Sequence, residues 1–212
     1  EPLACARHCL AAVARHLGRD LSGLRLGVLG AGTAGVLIAG LADVLGVEVV
    51  LGNRSADRTS FLLERGVLDV PIGSMKSLPA NGLDVAVVAT TLVRPEVLQQ
   101  ALRTVVPGGL VLLYGGTAPG DALEGLDCDL DTTRRSEIAV AASWEGKAVR
   151  VGGSYGTVPA DFTAAVEALT GRASAALPVE RMITQEIQLA DLPSALRHQI
   201  TGRPLGKTLI RP

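Results

Sequence analysis

Leu26-Gly27-Val28-Leu29-Gly30-Ala31-Gly32-Thr33-Ala34-Gly35 sets a Gly-x-Gly-x-x-Gly turn directly behind one apolar run and ahead of another. Each glycine answers a separate demand. Gly30 permits a tight turn out of a strand, and Gly32 lets the backbone approach a pyrophosphate where a Cβ would clash. Gly35 lets the following helix pack close to the sheet. Thr33 and Ala34 open that helix, whose unpaired N–H groups and dipole suit an anion. The chemistry implied is the holding of a dinucleotide. A glycine-rich turn with no ligand is the simpler alternative, but the motif sits inside a strand–turn–helix–strand unit, which favours the ligand.

Gly52-Asn53-Arg54-Ser55, with Arg58 one helical turn further on, falls where the second strand of such a unit meets the ribose. NAD sites usually carry Asp or Glu there. Asn53 removes that charge, and Arg54 with Arg58 supplies guanidinium groups suited to a 2′-phosphate. NADP is therefore expected, with NAD as the lesser choice; arginines merely solvated at a helix start are the plainer reading. A class-I methyltransferase also opens with a strand, a glycine-rich turn and a helix. The missing acid at the end of strand two and the C-terminal segment count against it.

Other reactive side chains are sparse. Cys5, His8 and Cys9 share neighbouring positions on one helix and could hold a soft metal; buried cysteines beside a helix-surface histidine are the simpler reading. Cys128 has no base near it in sequence, and His16 and His198 read as surface residues near helix ends. Neither Tyr114 nor Tyr155 is followed by the lysine that a Tyr-x-x-x-Lys dehydrogenase needs.

The elements that would position these residues alternate. Apolar periodicity predicts helices over 3–17, 34–45, 56–65, 95–105 and 159–169. Strands are predicted over 24–29, 47–51, 68–72, 83–89, 110–114, 148–152 and 207–210, and Leu192–Gln199 is a further element. Such alternation implies an α/β fold, a doubly wound parallel sheet with flanking helices. Ser143-Trp144-Glu145-Gly146-Lys147 reads as a hairpin turn. The strand at 148–152 is expected last in the parallel order, leaving an open edge for self-association. Three parts follow: a junction helix over 1–20, the dinucleotide-binding domain over 21–170 and a C-terminal segment over 171–212.

A net charge of −1 and 5 aromatic residues in 212 argue against a nucleic-acid or anionic-membrane partner. Gly, Arg and Asp interrupt every apolar run before it could span a bilayer. Three unevenly spaced cysteines make no disulfide framework, so a reduced, cytoplasmic setting is expected.

Glu1-Pro2-Leu3-Ala4-Cys5, the glycine-rich turn, Pro107-Gly108-Gly109-Leu110-Val111 and Tyr114-Gly115-Gly116 occur here in one order. Gly153-Ser154-Tyr155-Gly156 and Gly206-Lys207-Thr208-Leu209-Ile210-Arg211-Pro212 complete it. The series resembles the C-terminal, cofactor-binding portion of zinc-type medium-chain alcohol and polyol dehydrogenases, such as the sorbitol, threonine and cyclitol enzymes. Thr33, at a position commonly Pro, and a longer connection from Asp131 to Val151 depart from that pattern.

The resemblance implies oxidation or reduction of a polyol, sugar or cyclitol hydroxyl with NADP or NAD, by a homodimer or tetramer. It implies cofactor contacts from Thr90, Gly115, Gly116, Ser154 and Tyr155, and a place for Glu1 at the catalytic zinc. One carboxylate cannot hold a catalytic zinc, which takes about three protein ligands. The expected reading is thus a piece of a longer enzyme. A non-catalytic NADP(H)-binding or sensing module is the alternative.

Overall fold

Short, fully apolar strands can be buried on both faces only if helices cover both sides of their sheet. In the computed structural model, which describes residues 1–171, 174–202 and 205–211, they are so covered. The sheet comprises β1 (Arg25–Leu29), β2 (Glu48–Asn53), β3 (Ile72–Ser74), β4 (Leu83–Val88), β5 (Val105–Leu113), β6 (Ala139–Trp144) and β7 (Lys147–Gly153), in the order β3-β2-β1-β4-β5-β7-β6. All neighbours run parallel except the β6–β7 pair. This is the expected doubly wound α/β architecture.

Alternate residues along the strands feed two cores. Leu26, Val28, Leu51, Val85, Val87 and Leu112 meet the helices α1 (Pro2–Leu17), α2 (Thr33–Val44), α3 (Ala56–Glu64) and α6 (Pro159–Thr170). Leu29, Ala86, Val88, Val111 and Leu113 meet α4 (Pro95–Thr104) and the start of α5 (Leu130–Arg135) on the other face. Helix α1 buries Leu3, Ala6, Cys9, Leu10 and Val13 in the first core and packs on α2 and α6, so it belongs to the layer over the sheet. A separate parallel pair, β8 (Ile183–Gln188) with β9 (Lys207–Arg211), flanks α7 (Leu192–Gly202). Arg172, Ala173, Arg203, Pro204 and Pro212, all within the expected C-terminal segment, lie outside the described residues.

Three expectations need correction. The strand read over 68–72 is β3, three residues long, beginning after Pro71, whose missing N–H cannot donate to the ladder. Ile183–Gln188 was not foreseen as a strand. The third concerns the sheet edge: the strand over 148–152 is not open, because β6 folds back and pairs antiparallel along it, Val140 opposite Val151 and Ala142 opposite Val149. The turn Glu145-Gly146, with both residues at positive φ, is the kind that closes a two-residue hairpin. Lys147 pins it by donating to the Val105 carbonyl at 2.9 Å, to the Asn81 side-chain oxygen at 2.9 Å, and to the Leu102 carbonyl near the end of α4.

Strand β7 therefore has a partner on each side. Val149→Pro is expected to damage the fold, lowering the thermal midpoint by an amount worth about 3 kcal/mol. Loss of self-association at unchanged thermal stability, by sedimentation and calorimetry, would contradict this placement.

Candidate functional site

In an open α/β sheet the crevice for a ligand lies where the strand order reverses, beyond the carboxyl ends of the strands. That point here is between β1 and β4, and a cleft of about 560 Å³ opens there. Its lining includes Gly30, Ala31 and Gly32 from the glycine turn, Asn53, Arg54, Ser55 and Arg58 from the β2–α3 connection, and Thr90 from the end of β4. These expected residues are brought together by the fold. A larger, shallower hollow of about 730 Å³ lies beside β6, lined by Leu126, Asp127 and Ala141 among others. It lies away from the switch point, where the polar side chains converge.

Gly30 and Gly35 meet the turn and packing demands read from the sequence. Gly30 adopts φ +120°, and a Cβ there would meet the Ala89 carbonyl at 2.8 Å. A Cβ on Gly35 would stand 1.8 Å from the Gly30 carbonyl oxygen, so the first turn of α2 rests directly on the strand end. Gly32 differs: its φ of −72° suits any residue, and a Cβ would meet nothing within 4 Å. The space before it is empty of protein. Helix α2 has no side-chain cap on its first-turn N–H groups, whereas Ser55 caps α3 and Asp129 caps α5. The turn is a cradle facing an uncapped helix start, the arrangement that accepts a phosphate. Thr33 and Ala34 continue into α2.

Asn53 has a second task. Its side-chain oxygen accepts the Ala31 N–H at 3.1 Å, and its amide donates to the Ser55 carbonyl at 3.1 Å, tying the end of β2 to the glycine turn. Ser55 Oγ accepts the Arg58 N–H at 3.4 Å. Arg58 is half-buried, and that burial lowers its pKa. The guanidinium groups of Arg54 and Arg94 make no hydrogen bond or ion pair among the described residues. Arg94 was not foreseen. It occupies the N-cap position of α4 immediately before Pro95, without a side-chain capping bond, and lines the cleft together with Glu96. A cation preceding a helix-opening proline at the switch-point strand was the available signal.

The remaining expected residues stand outside this cleft. Gly115 and Gly116 let β5's extension approach the β4 end closely: a Cβ on Gly115 would sit 2.3 Å from the Thr90 carbonyl. Thr90, itself on the cleft wall, donates from Oγ1 to the Leu92 carbonyl at 2.7 Å. Ser154 is buried, its N–H donating to the Leu113 carbonyl at 3.1 Å. Tyr155 is exposed, with Arg134 and Arg135 over its ring at 5.0 and 5.5 Å. Glu1 accepts the Cys5 thiol at 3.0 Å. Burial, with the Glu1 carboxylate beside it, pushes the Cys5 thiol up to about 11, so it stays a neutral donor. Burial likewise raises Cys9 and Cys128. Among the described residues, no group of three or more His, Cys, Asp and Glu side chains is placed to share a metal ion. No helix among them is long and apolar enough to cross a membrane.

No protein-family model and no curated protein sequence matches the chain. Solved structures do. A protein described as a zinc-binding dehydrogenase from Sinorhizobium meliloti, bound to NADP, is 23% identical with a TM-score of 0.67 over 100% of this chain and 58% of its own. L-idonate 5-dehydrogenase from Escherichia coli gives 22% and 0.70 over 99% and 55%; galactitol-1-phosphate dehydrogenase from the same organism gives 18% and 0.71 over 100% and 59%. The chain shares its fold with these dehydrogenases. It spans a little over half the length of each.

The glycines supply a test. Gly35→Ala is expected to lower the unfolding midpoint by roughly 4–8 °C, an overpacking cost on the order of 2 kcal/mol. Gly32→Ala is expected to leave the midpoint unchanged while weakening the binding of a dinucleotide. Equal effects of the two on stability, by scanning calorimetry, would show that the cradle has another purpose.

Proposed function

We propose that this chain is the NADP(H)-binding portion of a zinc-dependent dehydrogenase that interconverts a hydroxyl and a carbonyl on a polyol, sugar or cyclitol. The carrying observation is the meeting, in one cleft, of the Gly30–Gly32 cradle with Arg54, Arg58 and Arg94, where the end of β2 offers Asn53 instead of an acid. The pyrophosphate would rest on the first turn of α2. The 2′-phosphate would take charge-assisted hydrogen bonds from Arg54, with Arg58 and Arg94 adding positive potential from the two walls. Asn53 keeps the loop in place without the repulsion a carboxylate would bring. When bound, the cofactor supplies a hydride acceptor or donor, and this chain's part is to hold and orient it.

The described residues do not compose a zinc site. The reading assigns the metal's other ligands to a further portion of the protein, with Glu1 as this chain's approach to it. Residues 171–212 would return toward that portion. In support, α7 buries none of its residues and exposes Leu196 and Ile200, and β8–β9 stands apart from the main sheet. A homodimer or tetramer would use β6, which is now the open edge at its end of the sheet.

Two outcomes test the reading. In fluorescence titration the chain should bind NADPH more tightly than NADH, and Asn53→Asp with Arg54→Leu should reverse the order. Each charge-assisted contact is worth roughly 1.5–3 kcal/mol, so a change of about tenfold or more is expected. Equal affinity of the unaltered chain for both would overturn the NADP assignment. The 212-residue chain with zinc supplied should bind cofactor yet oxidise no polyol; turnover above background would place the catalytic apparatus within it.

A further inference from the structure

His8, expected on a helix surface, is 5% exposed. Its Nδ1 lies 2.7 Å from Asp161 Oδ2 at the start of α6, and its Nε2 lies 2.7 Å from Glu137 Oε1 in the turn after α5. Both oxygens are already engaged with one stretch of backbone. Asp161 Oδ2 accepts the Val158 N–H at 2.9 Å, and Glu137 Oε1 accepts the Tyr155 N–H at 2.8 Å. The segment between β7 and α6 therefore hangs by its two ends from two carboxylate oxygens, and one imidazole ring on α1 joins them.

We infer that His8 is a positioning residue which, as an imidazolium donating from both nitrogens, locks the Ser154–Val158 segment onto α1. A neutral imidazole has one N–H and one lone pair, so it can serve only one of two ionised carboxylates. Two short contacts to oxygens that already act as acceptors call for two donors. The charged and titratable groups facing the ring fit that state. Asp161 comes from α6 and Glu137 from the α5–β6 turn. Arg15, on α1 itself, approaches Glu137 Oε2 at 3.5 Å. Cys9, near Glu137, adds no charge, because burial pushes its thiol up and keeps it protonated.

The sign of the pH dependence follows. The cross-link needs both ring N–H groups, so it is present while the ring carries its second proton and is lost when a base removes it. Deprotonation leaves one carboxylate facing a lone pair, and the backbone amide anchored on that oxygen loses its fixed partner. The consequence for function rests on the NADP(H) reading, in which Ser154 and Tyr155 belong to the cofactor's surroundings. The consequence for structure does not.

Nuclear magnetic resonance of the ¹⁵N-labelled 212-residue chain tests this. The His8 ring nitrogens are expected to report imidazolium wherever the Tyr155 and Val158 amides are protected. As His8 deprotonates, exchange of the Tyr155 and Val158 amides should accelerate about tenfold beyond the intrinsic rise seen at a β1 amide such as Val28, as for one lost charge-assisted hydrogen bond. His8→Gln, which can donate but does not titrate, should remove that extra pH dependence. NADPH affinity should lose the same step. A neutral His8 ring while those amides stay protected, or amides that follow the intrinsic rate throughout, would overturn the inference, and the unaltered chain alone decides this if His8→Gln fails to fold. Absence of any dinucleotide binding would refute the cofactor reading, while the ring and amide measurements would still judge His8.

Discussion

The contact between Gly35 and the Gly30 carbonyl governs the functional end of this molecule. With no Cβ at Gly35, the first turn of α2 sits directly on the end of β1, and the helix start is brought to the mouth of the crevice instead of being held back from it. Val36, Ile38, Ala39 and Ala42 then bury against the sheet and fix the helix along its length. The cost falls on the helix N-terminus. Gly32 offers no side chain to cap the first N–H groups, and no acidic residue lies in the first turn. Those groups must be solvated or satisfied by an anion, and the packing that creates the need also creates the space beside Gly32.

Charge is divided along the carboxyl ends of the strands to suit that need. On the β2 and β4 sides, Arg54, Arg58 and Arg94 line the crevice against the single acid Glu96. Beyond β5 the arrangement is of another kind. There Arg134 donates to the Tyr114 carbonyl at 3.2 Å, Arg135 pairs with Asp131 at 3.0 Å, and His8 joins Glu137 to Asp161. The arginines of the crevice include two with no partner among the described residues, whereas the groups beyond β5 neutralise one another. Uncommitted cations are the ones able to recruit an anionic ligand, since a paired one must first be separated from its partner.

Much of this was legible in the chain because its determinants are local. The glycine turn, the apolar strands around it and the Asn53-Arg54-Ser55 step each occupy a few consecutive residues whose types restrict the backbone directly. Pro71 shows where local reading went astray: the apolar residues Leu68, Val70 and Ile72 suggested a strand, but the first two bury within a loop, and the ladder waits until the proline is passed. Only half legible was the sheet edge: the hairpin turn over 143–147 was readable, but not that the strand before it covers β7. Residues 139–144 have an alternating burial of the kind a half-covered strand shows. Only the Glu145-Gly146 turn and the Lys147 anchor on Asn81 and on the Leu102 and Val105 carbonyls, 42 to 66 residues away in sequence, decide that they fold back over β7.

His8 marks the limit of such reading most clearly. On α1 alone it occupies a position between buried and exposed faces, and a solitary histidine there would sooner turn toward water than enter the core uncharged and unpaired. What draws it inside is a pair of carboxylates 129 and 153 residues further along. Neither acid would itself be stable there without a donor, and each serves a second purpose, Asp161 as the cap of α6 and Glu137 as the anchor for Tyr155. The three groups are mutually dependent, so no one of them announces the others in the sequence. Yet the backbone they hold is the short connection between the last parallel strand and its helix, the place where the sheet's far end is joined to α1. A chain that aligns its crevice through glycine contacts at β1 thus aligns the opposite end through charge, and the second kind of alignment, unlike the first, responds to protons.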